Sequence, residues 1–362
     1  VKIFRCQSCG QVVYFENTHC MNCGTVLGFL PDRLLLSGLE AAGNDLWRPL
    51  ASQAEERLYR MCRNYSGEQV CNWMVSEHRQ SVFCDACRFN QTIPDLMVPG
   101  NKALWQRLET AKRRLMYSLL QLGLPLISKQ EDPGNGLAFA FLADPDPLFA
   151  ESARTITGHE HGLITINIAE ADDVARERTR QDLTEPYRTL LGHFRHEAGH
   201  YYWYPLARIP GWLAEFRLRF GDERRDYAAA MRDNYQLGPP ADWQSRFVSP
   251  YAAAHPWEDW AETWAHCLHI IDVLETAWVF RLRVSPGGKR DEQMISEPEF
   301  DPYRSDSLER VIDHWLPLTY AVNSLNRRMG QPDLYPFVLS PPVLSEPGFV
   351  HQTMHRLAVA TP

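Results

Sequence analysis

The sequence predicts an α+β protein in which a small cysteine-rich front precedes a mostly helical domain with a small sheet. Three observations predict it. Eight of the nine cysteines fall before residue 90. Helical periodicity runs through residues 102–122, 256–280 and 308–329. Short apolar or alternating runs of strand length stand at 138–142 and 163–169. Turn signals at Ile93-Pro94-Asp95 and Pro99-Gly100-Asn101 separate front from remainder, giving expected domains 1–97 and 98–362.

The front opens with two short knuckles, Cys6-Gln7-Ser8-Cys9-Gly10 and Cys20-Met21-Asn22-Cys23-Gly24. Each can set two thiolates on one side of a tight turn, with Gly10 and Gly24 suited to positive φ. Four thiolates so paired are the donor set of a closed tetrahedral Zn²⁺ site, and the β-prone Val12-Val13-Tyr14-Phe15 between them reads as a zinc ribbon. A second set, Cys62, Cys71, Cys84 and Cys87, is less regular, but Cys84-Asp85-Ala86-Cys87 is a standard knuckle. These four are expected to hold a second structural zinc, with His78 as a possible substitute ligand. Residues 30–58 read as a linking segment docked by apolar side chains.

Composition bounds the partners. Apolar residues are 44% and charged residues 23% of 362, a globular balance that excludes wholesale disorder. There are 37 basic and 45 acidic residues, for a net charge of −8. The first 95 residues carry 9 basic and 10 acidic side chains, so the ribbons gain no electrostatic support for nucleic acid, and bracing or docking a protein partner is the favoured role. No run approaches the roughly 18 apolar residues of a membrane helix. The chain starts straight into cysteines without an apolar signal segment, and a cytoplasmic protein is expected.

Beyond the boundary, apolar residues at 104, 105, 108, 111, 115, 116, 119 and 122 mark an amphipathic helix. Ala138–Leu142 is a buried strand, and Ile164, Ile166 and Ile168 alternate on one face of a half-buried strand over 163–169. Chemistry concentrates next. Thr184 suits an N-cap and Glu185-Pro186 a first turn. A buried stripe of Leu190, Leu191, Phe194 and Ala198 then carries His196-Glu197-Ala198-Gly199-His200. His196 and His200, four apart, lie on one helical face where both reach one Zn²⁺, and Glu197 can take a proton from water beside it. With 13 His and 24 Glu in the chain, chance gives about 0.03 such matches, so coincidence is rejected. His193, one turn earlier, reads as packing against or supporting that group.

A catalytic zinc needs a third protein ligand and one open position. Glu258 and Glu262 stand four apart after Pro256 at a helix start, so the first can ligate while the second accepts the N–H of a ligating histidine and fixes its tautomer, though both would otherwise pass for solvated surface carboxylates. His255, His266 and His269 remain alternative ligands. Residues 221–240 read as a charged surface helix and a loop. His351 and His355 read as surface or packing residues, and Cys267 as a buried, inert thiol.

The His196-Glu197-x-x-His200 and Glu258-x-x-x-Glu262 pair resembles the gluzincin metallopeptidases. Tyr251, seven residues before Glu258, is similar to the active-site region of the anthrax lethal factor protease domain. Nearly the whole chain resembles a bacterial family of zinc-binding metallopeptidases with N-terminal zinc ribbons. The resemblance implies a zincin-like domain with His196, His200 and Glu258 as ligands of one catalytic zinc. It also implies Glu197 as general base, Tyr251 as oxyanion donor and a peptide or protein as substrate. The strand at 163–169 would then offer its edge to an extended substrate. The competing reading is a zinc-ribbon adaptor carrying a zincin-like fold that does not cleave.

Overall fold

In the structure, a computed structural model, residues 2–54, 56–144, 157–182, 189–287, 292–337, 339–340 and 343–359 are described. They form two compact units. One comprises Val1–Gln121 with Leu126–Ala175, and the other Leu122–Pro125 with Arg176–Pro362.

The first unit starts with a two-stranded ribbon, β1 (Phe4–Arg5) antiparallel to β2 (Val12–Val13). A five-stranded antiparallel meander follows, β3 (Leu27–Leu30), β4 (Leu35–Gly43), β5 (Leu46–Pro49), β6 (Tyr59–Met61) and β7 (Met74–Ser76), with the short helix α1 (Arg63–Ser66) between the last two. Phe29 forms a parallel bridge to Trp73, and its N–H donates to Asn72 O at 2.8 Å, curling the first strand toward the last. Residues 35–43 and 46–49 are therefore strands of a sheet, where a linking segment is expected. The turn at Asn44-Asp45 has φ of +52° and +59° in succession. That pair of positive φ values matches the right-handed twist of a tight hairpin, and the Asn-Asp dipeptide was its signal in the sequence.

A four-stranded sheet completes this unit, with β8 (Asn90–Thr92), α2 (Asn101–Leu122), β9 (Ala138–Leu142), β10 (Gly158–Glu160) and β11 (Leu163–Asn167). Its order is β10-β11-β9-β8, parallel at β8/β9 and β9/β11 and antiparallel at β10/β11. The alternation expected of β11 holds, with Ile164 and Ile166 buried. Its edge is not available: β11 pairs on both sides, so it cannot take up a substrate strand, and it belongs to the first unit whereas the histidine motif belongs to the second. An aromatic cluster ties α2 to the cysteine-rich region. Phe15 lies 5.5 Å from Tyr117 and 4.9 Å from Phe29, and Phe29 lies 4.8 Å from Trp73. Burial of these large rings is the main favourable term there.

After α3 (Asp173–Asp182), the second unit holds α4 (Leu190–Ala207), α5 (Trp212–Phe220), α6 (Tyr227–Leu237), α7 (Pro256–Phe280), α8 (Leu308–Arg328) and α9 (Ser345–Val359). The helices at 102–122, 256–280 and 308–329 thus fall where periodicity set them. The cap of α4 is Thr189, whose hydroxyl accepts from Gly192 N at 2.9 Å; the expected cap Thr184 and first turn Glu185-Pro186 lie outside the described residues. Along α7 almost every residue from Glu258 to Leu274 is buried, as befits the central helix of a bundle. It packs against α4, α8 and α9. No helix among the described residues is long and apolar enough to cross a membrane.

Gly199 lets α4 and α7 approach. A Cβ there would stand 2.9 Å from Ala261 Cα and 3.0 Å from Trp264 Cβ, while Trp260 Nε1 donates to Gly199 O at 2.8 Å. Gly199→Ala is expected to destabilise the chain by about 1–3 kcal/mol by forcing the backbones apart. A melting temperature equal to the parent's would show that the crossing is looser than these contacts.

Candidate metal centres and active site

Three groups of ligating side chains converge among the described residues: Cys6, Cys9, Cys20 and Cys23; Cys62, Cys71, Cys84 and Cys87; and His196, His200 and Glu258. In the first, the two knuckles close alike. Gly10 N donates to Cys6 O at 2.8 Å and Gly24 N to Cys20 O at 2.9 Å, with both glycines at positive φ. Cys6 and Cys23 sulfurs are 3.6 Å apart, as are those of Cys9 and Cys20. In the second, Cys71 Sγ lies 3.8 Å from Cys84 Sγ and 3.7 Å from Cys87 Sγ. Sulfurs about 2.3 Å from a tetrahedral Zn²⁺ stand about 3.8 Å from one another, so both sets fit the ion, and neither is a disulfide.

The two sets differ in setting. Cys9 and Cys23 are exposed, whereas all four cysteines of the second set are buried. Four thiolates around a divalent ion leave two negative charges, and a buried site must offset them. The buried Arg113 guanidinium supplies one positive charge toward that, anchored by its bond to Val70 O at 2.5 Å. Burial works against that charge, but Cys71 and Glu109 outweigh it and raise the Arg113 pKa. His78 is exposed beside Glu77 and takes no part in the cluster.

On α4 the 3.6-residue repeat puts His193, His196, Glu197 and His200 on one side, opposite buried Phe194, Ala198 and Tyr202. On α7, Glu258 and Glu262 face them. Glu262 Oε1 lies 2.7 Å from His196 Nδ1, and Ser249 Oγ donates to Glu262 Oε2 at 2.6 Å. A carboxylate at Nδ1 calls for the N–H on that atom, so the neutral ring has its lone pair on His196 Nε2. That Nε2 meets His200 Nε2 at 3.1 Å and Glu258 Oε2 at 3.1 Å, and Glu258 Oε2 is 3.6 Å from His200 Nε2. Glu258 Oε2 is buried and receives no well-aligned hydrogen bond.

These three ligating atoms converge closely enough to share one cation. Ligands about 2.0–2.1 Å from a tetrahedral zinc stand about 3.3 Å apart, the spacing found. With no ion present, a proton is drawn to the same atoms. Burial disfavours a charge on Glu258, yet His200 and His196 outweigh it and hold its pKa well below the usual carboxylate range. Burial likewise opposes a charged His196, and Glu258 and Glu262 overcome it.

Glu197 is buried beside this group, with Oε1 3.2 Å from His193 Nε2 and Oε2 unpartnered. Burial would raise its pKa, but the His193 contact and the neighbouring imidazoles hold it down, so the carboxylate is the resting form. Tyr251, in a single turn of 3₁₀ helix over Tyr251–Ala254, sets its ring 5.9 Å from that of His196. The half-buried His193, His200 and Tyr251 mark the more open side of the site.

The alternative third ligands have other work. His255 caps α7, its Nδ1 accepting from Trp257 N at 3.1 Å, while His266 Nδ1 pairs with Tyr335 Oη at 2.5 Å. His269 is buried near Arg195, and Cys267 is a buried thiol pushed up to about 12 by desolvation. His351 is buried, and its Nε2 lies 3.2 Å from that of His355. Sequence reasoning missed two members of the site. Ser249 supports Glu262, and Tyr227 Oη donates to Glu258 Oε1 at 2.8 Å from within a segment taken for a surface helix. Nothing in local periodicity marks either one.

Residues 101–353 match the family model described as "Putative zinc-binding metallo-peptidase", and residues 3–98 match a zinc-ribbon domain model. Uncharacterized proteins of Mycobacterium bovis and of two Mycobacterium tuberculosis strains are each 40% identical over 357 residues, covering 98% of this chain and 96% of theirs. No solved structure matches the chain.

Proposed function

The chain belongs to the family described as putative zinc-binding metallo-peptidases, and from that premise we propose that it is a zinc-dependent peptidase with Glu197 as general base. His196, His200 and Glu258 would hold the catalytic ion, and the two cysteine sets one structural ion each. A bound Zn²⁺ supplies Lewis acidity, lowering the pKa of water toward about 7 and drawing charge from a peptide carbonyl.

This chain's residues do the rest. Glu197 takes the proton as water's oxygen bonds to the carbonyl carbon. The Tyr251 hydroxyl donates to the oxyanion that forms, where a donor counts most because charge develops there. As the C–N bond breaks, Glu197 returns the proton to the leaving amine. Glu262 keeps His196 in the tautomer that presents Nε2, and His193 orients Glu197. The ribbon region serves as a brace or a protein-docking module, since its near-neutral charge offers nucleic acid no positive field.

One observation carries the reading: a buried carboxylate with an unpartnered oxygen stands next to three converging ligand atoms. A purely structural ion has no use for it. The test is a peptide library incubated with the purified chain and read by mass spectrometry. New termini are expected, suppressed by 1,10-phenanthroline and restored by added Zn²⁺, from protein holding close to three zinc ions per chain. A fully metallated chain that leaves the library intact would return the case to a non-cleaving adaptor.

A further inference from the structure

We propose that Tyr227 is a positioning residue that fixes Glu258 as a one-oxygen ligand, which makes helix α6 part of the metal site. The inference rests on the reading of Glu258 as a ligand and adds what holds it.

The two oxygens of Glu258 have separate partners. Oε1 accepts from Tyr227 Oη at 2.8 Å, while Oε2 is turned to His196 and His200 at 3.1 and 3.6 Å. A carboxylate left to itself can offer a cation one oxygen or both. A phenol hydroxyl on Oε1 ties that oxygen outward and leaves Oε2 as the donor. A zinc held by His196, His200 and that one oxygen would leave a position open for water, as hydrolysis requires. A neutral donor suits the task, because it orients the carboxylate without cancelling the charge that the ion needs.

Tyr227 is held where it can do this. Asp226 caps α6, accepting from Ala229 N at 2.9 Å. The imidazole of His255 then couples the starts of the two helices. Its Nδ1 accepts from Trp257 N at 3.1 Å, so its Nε2 carries the hydrogen and donates to Arg225 O at 3.2 Å. The Tyr227 ring rests 5.2 Å from His255 and 6.0 Å from Trp257. One neutral histidine thereby registers the residue pair before Tyr227 against the turn that carries Glu258. The long stretch between His200 and Glu258 acquires a purpose on this account.

Tyr227→Phe keeps the ring and removes only the hydroxyl. The full-length zinc-loaded chain would be titrated with dipicolinate to read its one labile zinc, and that zinc then replaced by Co²⁺ for visible spectroscopy. The variant is expected to hold the labile ion about 10- to 100-fold less tightly. Its cobalt bands should weaken as the freed second oxygen of Glu258 raises the coordination number. Parent-like affinity and an unchanged cobalt spectrum would overturn the proposal. Gln236→Ala, at an exposed position on the same helix, should change neither; an equal loss there would assign the effect to α6 folding and overturn it as well. Glu258→Ala separates the levels. A labile zinc retained at parent affinity in that variant defeats the ligand reading itself, whereas its loss alongside an unaffected Tyr227→Phe defeats only the role of the tyrosine.

Discussion

Glu197→Gln is expected to lower peptide cleavage by about 10²–10⁴-fold while the chain keeps its full complement of zinc. The amide has the shape of the carboxylate, so the buried position should still pack, and His193 can remain as a hydrogen-bond partner across the 3.2 Å contact. What is lost is the ability to take a proton. The carboxylate is the resting form because His193 and the flanking imidazoles outweigh the burial that would otherwise protonate it, so the base is available at neutral pH without prior deprotonation. The measurement is kcat/KM on a peptide found by library cleavage, paired with elemental analysis of the same sample. Turnover at the parent rate would remove Glu197 from the chemistry. Loss of zinc together with activity would show that it holds the site together rather than acting in the reaction.

Glu258→Ala is expected to empty one of three metal positions and abolish cleavage. The carboxylate is the only anionic member of the His196, His200 and Glu258 set, and it is almost wholly shielded from solvent. Removing it leaves two imidazoles, too few to retain a labile ion against a chelator, and strips His196 Nε2 and Tyr227 Oη of their shared partner. Metal content should fall from about three to about two ions per chain, with the cysteine-held pair retained. Those two sit in closed sulfur sites that do not share a ligand with α7. Full metal content in the variant would point to another third ligand and redraw the site. The cysteine clusters supply the internal standard, because their zinc reports whether the chain has folded.

Much of this site was legible because its signals are local. Two knuckles of fixed spacing and a helical His-x-x-x-His pair need only the neighbouring few residues to fix their geometry, and the turns at Gly10 and Gly24 or the α4 repeat deliver it. The second cysteine set was harder. Cys62 and Cys71 are brought to Cys84 and Cys87 by β6, α1 and β7, and eight residues of spacing do not announce that route. The strands at 35–43 and 46–49 are hidden in the sequence because leucines in a strand and leucines in a docked linker look alike until the Asn44-Asp45 turn is weighed.

The strand at 163–169 shows the same division more sharply. Alternation says which side chains are buried, and Ile164 and Ile166 are. It says nothing of the hydrogen-bonding direction, which lies in the plane of the sheet and at right angles to the side chains. That both edges of β11 are occupied was settled by partners far along the chain.

By itself the sequence determined the elements and the metal-binding motifs, since helix and turn periodicities are set by sterics within a few residues. Tertiary structure alone decided that the histidine Glu262 serves is His196, that Ser249 stands behind Glu262, and that Tyr227 reaches Glu258. Those contacts join residues 13 to 66 positions apart. The Glu262–His196 contact needs α4 and α7 to close on each other at Gly199, and a distance of that kind is a property of packing, with no period along the chain for a reader to find.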